Sequence, residues 1–173
     1  TGCSTVAAFN SCGSMVECVA QSNTVNAVSG TTTLMLNCLI VNNSGASSDG
    51  IAVPAGTNPV IRNCTIYNNG RDGIRCASGN TTPRFFNCIS YANAGVNYNS
   101  STAIFGAMFF NCAAGTGGVS SANFASASIF TAANQIGNIT LTADPFTNKA
   151  GGDFSLNNTA GGGASCRSAG ILG

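Results

Sequence analysis

Five carboxylates and nine cysteines are the side chains of this sequence with the chemistry to act on a substrate or a metal, and there is no histidine. The carboxylates are Glu17, Asp49, Asp72, Asp144 and Asp153. Glycoside hydrolysis needs two carboxyl groups facing each other across a cleft, one of them held protonated. Asp49 and Asp72 each precede a glycine, and they fall at equivalent repeat positions, ~5 Å apart if the repeats stack as strands. Asp-Gly is a common turn dipeptide, so turn formation accounts for both without catalysis. With no histidine for general acid or base work, the sequence points away from an enzyme.

The cysteines contain no Cys-x-x-Cys pair, so a zinc site would have to be assembled from four distant thiols. Cys38, Cys64, Cys88 and Cys112 share one repeat position and should stack ~4.8 Å apart as small buried hydrophobes. That spacing is within disulfide range, but parallel Cβ vectors give poor dihedral geometry, so a ladder of reduced thiols is expected. Cys3, Cys12 and Cys18 are read as lying off the ladder, where a Cys3–Cys12 or Cys12–Cys18 bond is open. An odd total leaves at least one thiol free in a monomer.

The elements that position these residues are set by recurrence. The pair Asn-Cys stands at 37–38, 63–64, 87–88 and 111–112, in steps of 26, 24 and 24 residues. A second mark, glycine followed by a β-branched residue, stands at Gly50-Ile51, Gly73-Ile74, Gly95-Val96 and Gly118-Val119. Two marks keeping step at this period indicate a solenoid, in which each repeat buries its apolar face against its neighbours. Each repeat holds short runs rich in Ile, Val, Phe and Thr separated by Asn, Gly and Ser, which is strand and turn chemistry. Ala122–Ala133 is the one helix candidate, and its Ser, Thr and Phe content favours a loop.

Counting from the Asn, position −2 holds Met35, Ile61, Phe85 and Phe109, position +1 holds Cys, and position +3 holds Ile40, Ile66, Ser90 and Ala114. These are read as inward. The step from −2 to +1 breaks strand alternation and requires a bend at the Asn, the non-glycine residue that best tolerates the left-handed conformation. Asn37, Asn63, Asn87 and Asn111 should therefore form a hydrogen-bonded ladder at one corner, and Asn43, Asn69 and Asn93 repeat at a second. Outward positions hold Leu36, Arg62, Phe86 and Phe110 at −1, and Val41, Tyr67 and Tyr91 at +4. Stripes of this kind mark a partner surface or a sugar-stacking surface, unless a loop such as Val119–Asn134 folds over them. The Asn-x-Ser/Thr matches at Asn42, Asn63, Asn80, Asn99, Asn138 and Asn157 carry little weight among 22 asparagines.

Composition narrows the partners. Hydrophobic residues make up 44%, enough for a core, but charged residues only 6%, so the surface is built from Asn, Ser, Thr, Gly and Ala. A net charge of +1 with no basic cluster offers no footprint for nucleic acid or an anionic membrane. No apolar run approaches the ~18 residues of a membrane span. The first residue is Thr, which reads as a processed or trimmed start.

The stretch Val60-Ile61-Arg62-Asn63-Cys64-Thr65-Ile66-Tyr67-Asn68-Asn69, followed by Arg71-Asp72-Gly73-Ile74, resembles the right-handed β-helix repeats of the pectate-lyase-like superfamily. The tail Ala143-Asp144-Pro145-Phe146, Gly152-Asp153-Phe154-Ser155-Leu156 and Ala164 to Gly170 is similar to the segment that closes the last coil in many such proteins. The resemblance implies an all-β, right-handed parallel β-helix; the repeat length of 22–26 residues suits five or six coils in one domain. Residues 1–30 would be an N-terminal cap and first rung, 31–140 the regular coils and 141–173 the closing segment. The superfamily spans lyases, hydrolases, adhesins and virion proteins. Its lyases use an Arg or Lys base beside calcium-binding carboxylates; Arg71 and Arg75 flank Asp72, but no carboxylate cluster accompanies them.

The expectation is a structural protein on an exterior surface, a phage capsid decoration or fibre component, without cofactor or metal. Its partners would be its own copies, as in a trimer, or a larger protein shell, with glycans as a further class. The alternative is a secreted carbohydrate-binding or polysaccharide-degrading β-helix using Tyr67, Tyr91 and nearby arginines. A third is a fragment of a bacterial surface adhesin.

Overall fold

The computed structural model describes residues 7–79, 82–100, 108–115 and 135–169. The chain winds through three parallel sheets, visiting each once per turn. Sheet A holds Phe9–Asn10, Val28–Ser29, Ile51–Val53, Ile74–Cys76 and Tyr98–Ser100. Sheet B holds Ser14–Val16, Leu34–Leu36, Val60–Arg62, Arg84–Phe86, Met108–Phe110 and Gln135–Ile136. Sheet C holds Val19–Gln21, Leu39–Val41, Thr65–Tyr67, Ile89–Tyr91, Ala113–Gly115 and Ile139–Leu141. Strands from all three sheets make four complete turns between Ser14 and Ser100, with partial rungs at either end. Among the described residues that is slightly fewer than the five or six coils expected; the stretch 116–134, which follows the rung of Asn111 and Cys112, lies outside them. The candidate helix 122–133 and the loop 119–134 lie outside the described residues.

Sharp corners make three sides from one short repeat. Between sheets B and C a single residue carries a left-handed conformation: Glu17, Asn37, Asn63, Asn87 and Asn111 have φ of 50–54°, and Gly137 follows at 67°. Asn63 donates from Nδ2 to Asn37 Oδ1 (3.1 Å) and Asn87 to Asn63 (3.2 Å), which is the expected ladder over its first three rungs, Asn37, Asn63 and Asn87. A second left-handed position, Ser22, Asn42, Asn68 and Ala92, turns the chain out of sheet C. Just after it comes a buried amide ladder, with Nδ2-to-Oδ1 bonds from Asn23 to Asn43 (2.7 Å), Asn43 to Asn69 (2.7 Å) and Asn69 to Asn93 (2.8 Å). Asn93 ends it on Ser90 Oγ and Asn97 Oδ1, so the buried amides are satisfied along the whole run.

The interior follows the expected facing. Met35, Ile61, Phe85 and Phe109 point in from sheet B, and Ile40, Ile66, Ser90 and Ala114 from sheet C, all with no exposed surface. Volume is exchanged between them rung by rung. Where sheet B changes Ile61 to Phe85 and Phe109, sheet C shrinks from Ile66 to Ser90 and Ala114, which keeps the interior close-packed. Phe85 and Phe109 stack at 4.6 Å, and Tyr98 from sheet A meets both edge-on. Ser90 Oγ donates to Asn97 O (2.9 Å), so this buried hydroxyl carries no desolvation penalty.

Two register details correct the repeat marks. Ile74 pairs with Tyr98, which sets Gly73 against Asn97; Gly95-Val96 therefore stands two residues early and is not the counterpart of Gly73-Ile74. Gly50 and Gly73 do share a position, and a Cβ on either would approach a backbone carbonyl of the next coil to 2.6 Å. Close approach, not positive φ, selects glycine there. The pairing of Val19 with Leu39 also puts Cys18 on the cysteine ladder rather than off it.

After the last rung the chain forms an antiparallel hairpin, Phe146–Asn148 with Asp153–Leu156, and then a seven-residue helix, Gly163–Ala169. The resemblance implied a segment that closes the last coil, and the helix within it is an addition. Asn157 holds it, donating to Asp144 O and Phe146 O and accepting from Gly163 N.

Candidate functional site

The thiol ladder is interior. Cys38, Cys64, Cys88 and Cys112 are buried, and each Sγ donates to the carbonyl two residues earlier, at 3.1–3.5 Å. Cys12 and Cys18 are also free thiols, so the second of the two bonds considered above is not formed; Cys3 lies outside the described residues. Contact with the Cys64 thiol, together with burial, pushes the Cys38 thiol far up, and burial does the same for Cys88. Protonated thiols are poor nucleophiles and poor metal ligands. Asn138 replaces Cys on the last rung, accepting from Cys112 N (2.7 Å) and donating to Phe109 O (2.8 Å).

The two buried aspartates are fully engaged. Asn26, Asp49 and Asp72 form a third ladder, each Oδ1 accepting the backbone N–H at the equivalent position of the next coil, at 2.9, 3.3 and 3.0 Å. Arg71 clasps Asp49 through Nε (2.7 Å) and Nη2, and this pairing raises the guanidinium pKa further. Asn99 Nδ2 donates to Asp72 Oδ2 (2.6 Å). Among the described residues no group of three or more His, Cys, Asp or Glu could hold a metal ion. Beside this corner a shallow groove of about 250 Å³ runs over Ala52 on sheet A, and Arg71 and Arg75 line it.

The outer faces of sheets B and C carry the outward residues singled out by the sequence. On sheet B, register places Val16, Leu36, Arg62, Phe86, Phe110 and Ile136 in one row along the solenoid. Phe86 and Phe110 stack at 5.2 Å with an 8° interplanar angle, and the Arg62 guanidinium sits 4.5 Å above the Phe86 ring. Val16 and Ile136, which end the row, are 51% and 59% exposed. Both were missed: Val16 precedes Glu17-Cys18 and Ile136 precedes Gly137-Asn138, where the other four rungs have Asn-Cys.

On sheet C the expectation of an open tyrosine stripe is overturned. Tyr67 keeps 9% of its surface and Val41 1%, because the C-terminal hairpin lies across them. Phe146 meets the Tyr67 ring edge-on at 5.5 Å and Phe154 meets it at 5.6 Å, while Tyr91 stacks on Tyr67 and is half-buried. Tyr67 and Tyr91 are therefore not an exposed sugar platform. The covering segment is residues 146–156, downstream of the loop considered from the sequence. Its signal was the spacing of Phe146, Phe154 and Leu156, which gives a two-stranded hairpin one apolar side.

Three parallel sheets wound about a thiol- and phenylalanine-filled core, cornered by asparagine ladders, define a parallel β-solenoid. The chain belongs to the right-handed β-helix family, whose model, described as a right handed beta helix region, matches residues 3–162. Neither the curated proteins nor the solved structures include a match to it.

Proposed function

We propose that the chain is a structural β-helix module that works by protein association at an exterior surface, as a virion capsid decoration or fibre component. The outer face of sheet B carries this reading: a row of one outward side chain per rung, apolar at every rung but that of Arg62, with more than half of Val16 and Ile136 open to solvent. Rows of this length on a soluble protein mark contact surfaces. Tying the buried carboxylates into corner ladders and keeping the thiols protonated suits a scaffold, and 6% charge suits a surface built for packing. The test is light scattering across concentration, on the wild type and on a Phe86→Ser, Phe110→Ser double variant. The wild type should associate and the variant should not, with unchanged circular dichroism. A wild-type monomer that depolymerises a polysaccharide would sink the proposal.

A second reading, glycan binding, moves from the tyrosines to the sheet A groove. The Arg75 side chain there forms no hydrogen bond or ion pair with the described residues, whereas that of Arg71 is held by Asp49. A glycan array with Arg75→Gln as control checks it: acidic glycans retained by the wild type and lost by the variant would favour this reading.

A further inference from the structure

We infer that sheet B pairs face to face with sheet B of a second copy, about a two-fold axis parallel to the strands. The inference rests on the association proposed above and names its partner. Such an axis reverses the order of the rungs and leaves each column of side chains facing itself. The row Val16, Leu36, Arg62, Phe86, Phe110, Ile136 then meets its own reverse. Val16 faces Ile136 of the second copy, Leu36 faces Phe110, and Arg62 faces Phe86.

The row is self-complementary under that reversal. Aliphatic side chains meet at both ends, and in the middle a guanidinium meets a ring. Arg62 already lies over one face of Phe86 in its own chain, so the Phe86 of the second copy supplies a ring on its other side. The neighbouring outward column obeys the same rule, since Leu34 falls opposite Met108 and Val60 opposite Arg84. No arginine faces an arginine, and the six strands of sheet B contain no Asp or Glu that would be buried unpaired. Two copies also share one rung spacing, ~4.8 Å, so side chains stay in step along the whole face while the sheets pack ~10 Å apart. A strip three residues wide is smaller than a standard interface, so the pair is weak and reversible, with a Kd on the order of micromolar or above.

Pairing of Leu36 with Phe110 gives the test. Leu36→Asp and Phe110→Lys are each expected to be monomeric by light scattering at concentrations where the wild type dimerises, because each faces its substitution with an apolar group. Mixed in equal amounts they should form a heteropair, with apparent Kd recovering about tenfold or more toward wild type, and about 1 M salt should abolish the recovery. A two-fold along the solenoid axis would set Leu36 against Leu34, and mixing would restore nothing. A wild-type dimer or trimer with no rescue on mixing overturns the inference and leaves the association proposal standing. A wild type that stays monomeric throughout overturns both.

Discussion

On sheet C the row Val41, Tyr67, Tyr91 lies beneath Phe146 and Phe154, while on sheet B the row from Val16 to Ile136 ends at both limits in solvent. Both rows come from the same repeat, five positions apart, and both are outward and, Arg62 aside, apolar. One has become a second small core and the other a surface. An outward apolar stripe thus has no meaning of its own until the rest of the chain is placed. Sheet C has a hairpin of its own chain to bury it, and the function proposed for the molecule follows from sheet B's row remaining open at its ends.

The largest expected effect tests the interior on which both faces rest. Cys64→Asp should cost about 4 kcal/mol or more, enough to abolish folding, because it buries an unpaired charge. Cys64→Ala should cost about 1–2 kcal/mol by urea unfolding. Near-equal costs for the two would mean that the ladder is not interior, and both rows would then have to be reassigned.

The faces themselves are separated by a matched pair of truncations. Phe146→Ala should destabilise by about 3 kcal/mol, since it opens the second core, whereas Phe110→Ala should cost about 1 kcal/mol or less. Equal values from denaturant midpoints would erase the distinction between a covered and an uncovered row.

Alkaline pH should act on the shared interior. Burial pushes the Cys76 thiol up to about 12 from an ordinary value of 9.0, and burial moves Cys88 in the same direction. Below pH 9 both folded and unfolded chains keep these protons, so the stability from the thiols is fully present. Between pH 9 and about 12 the unfolded chain loses protons that the folded chain retains, so stability falls by about 1.4 kcal/mol per pH unit for each such thiol. Unfolding midpoints at pH 7, 9 and 10.5 check the slope. Loss of the hairpin alone, reported by proteolytic cleavage between Phe146 and Leu156 without loss of β structure by circular dichroism, would place the sensitivity on sheet C instead.

The smallest effect concerns what holds the hairpin down. Lys149 pairs with Asp144 and its ammonium lies 5.4 Å from the Tyr67 ring centroid, but the two charged side chains are 40% and 34% exposed. Lys149→Ala should change stability by about 0.5 kcal/mol or less. A larger loss, or strong dependence of hairpin docking on salt, would show that charge rather than apolar burial distinguishes sheet C from sheet B.

Much of the scaffold was legible because it repeats. Asn63 and Cys64 recur with their neighbours, and strand alternation plus one left-handed corner is enough to point Ile61, Cys64 and Ile66 inward. The second mark misled because glycine is selected for several reasons: a Cβ on Gly50 or Gly73 would come within 2.6 Å of a carbonyl of the next coil, whereas one on Gly95, two residues out of register, would come within 2.4 Å of Asp72 Oδ1. The closing helix was hidden because Gly163–Ala169 is too short to show a period and is made of small residues. Arg71 and Arg75 were noted together as flanking Asp72, because nothing in a repeat distinguishes an arginine that faces a groove from one that is paired.

By itself the sequence determined the solenoid, its corners and the contents of its core, because those follow from short-range geometry repeated at near-constant spacing. Only the tertiary structure decided which outward row is covered. That choice depends on a hairpin some 80 residues downstream of Tyr67 folding back across sheet C, and no local preference encodes where a distant segment docks.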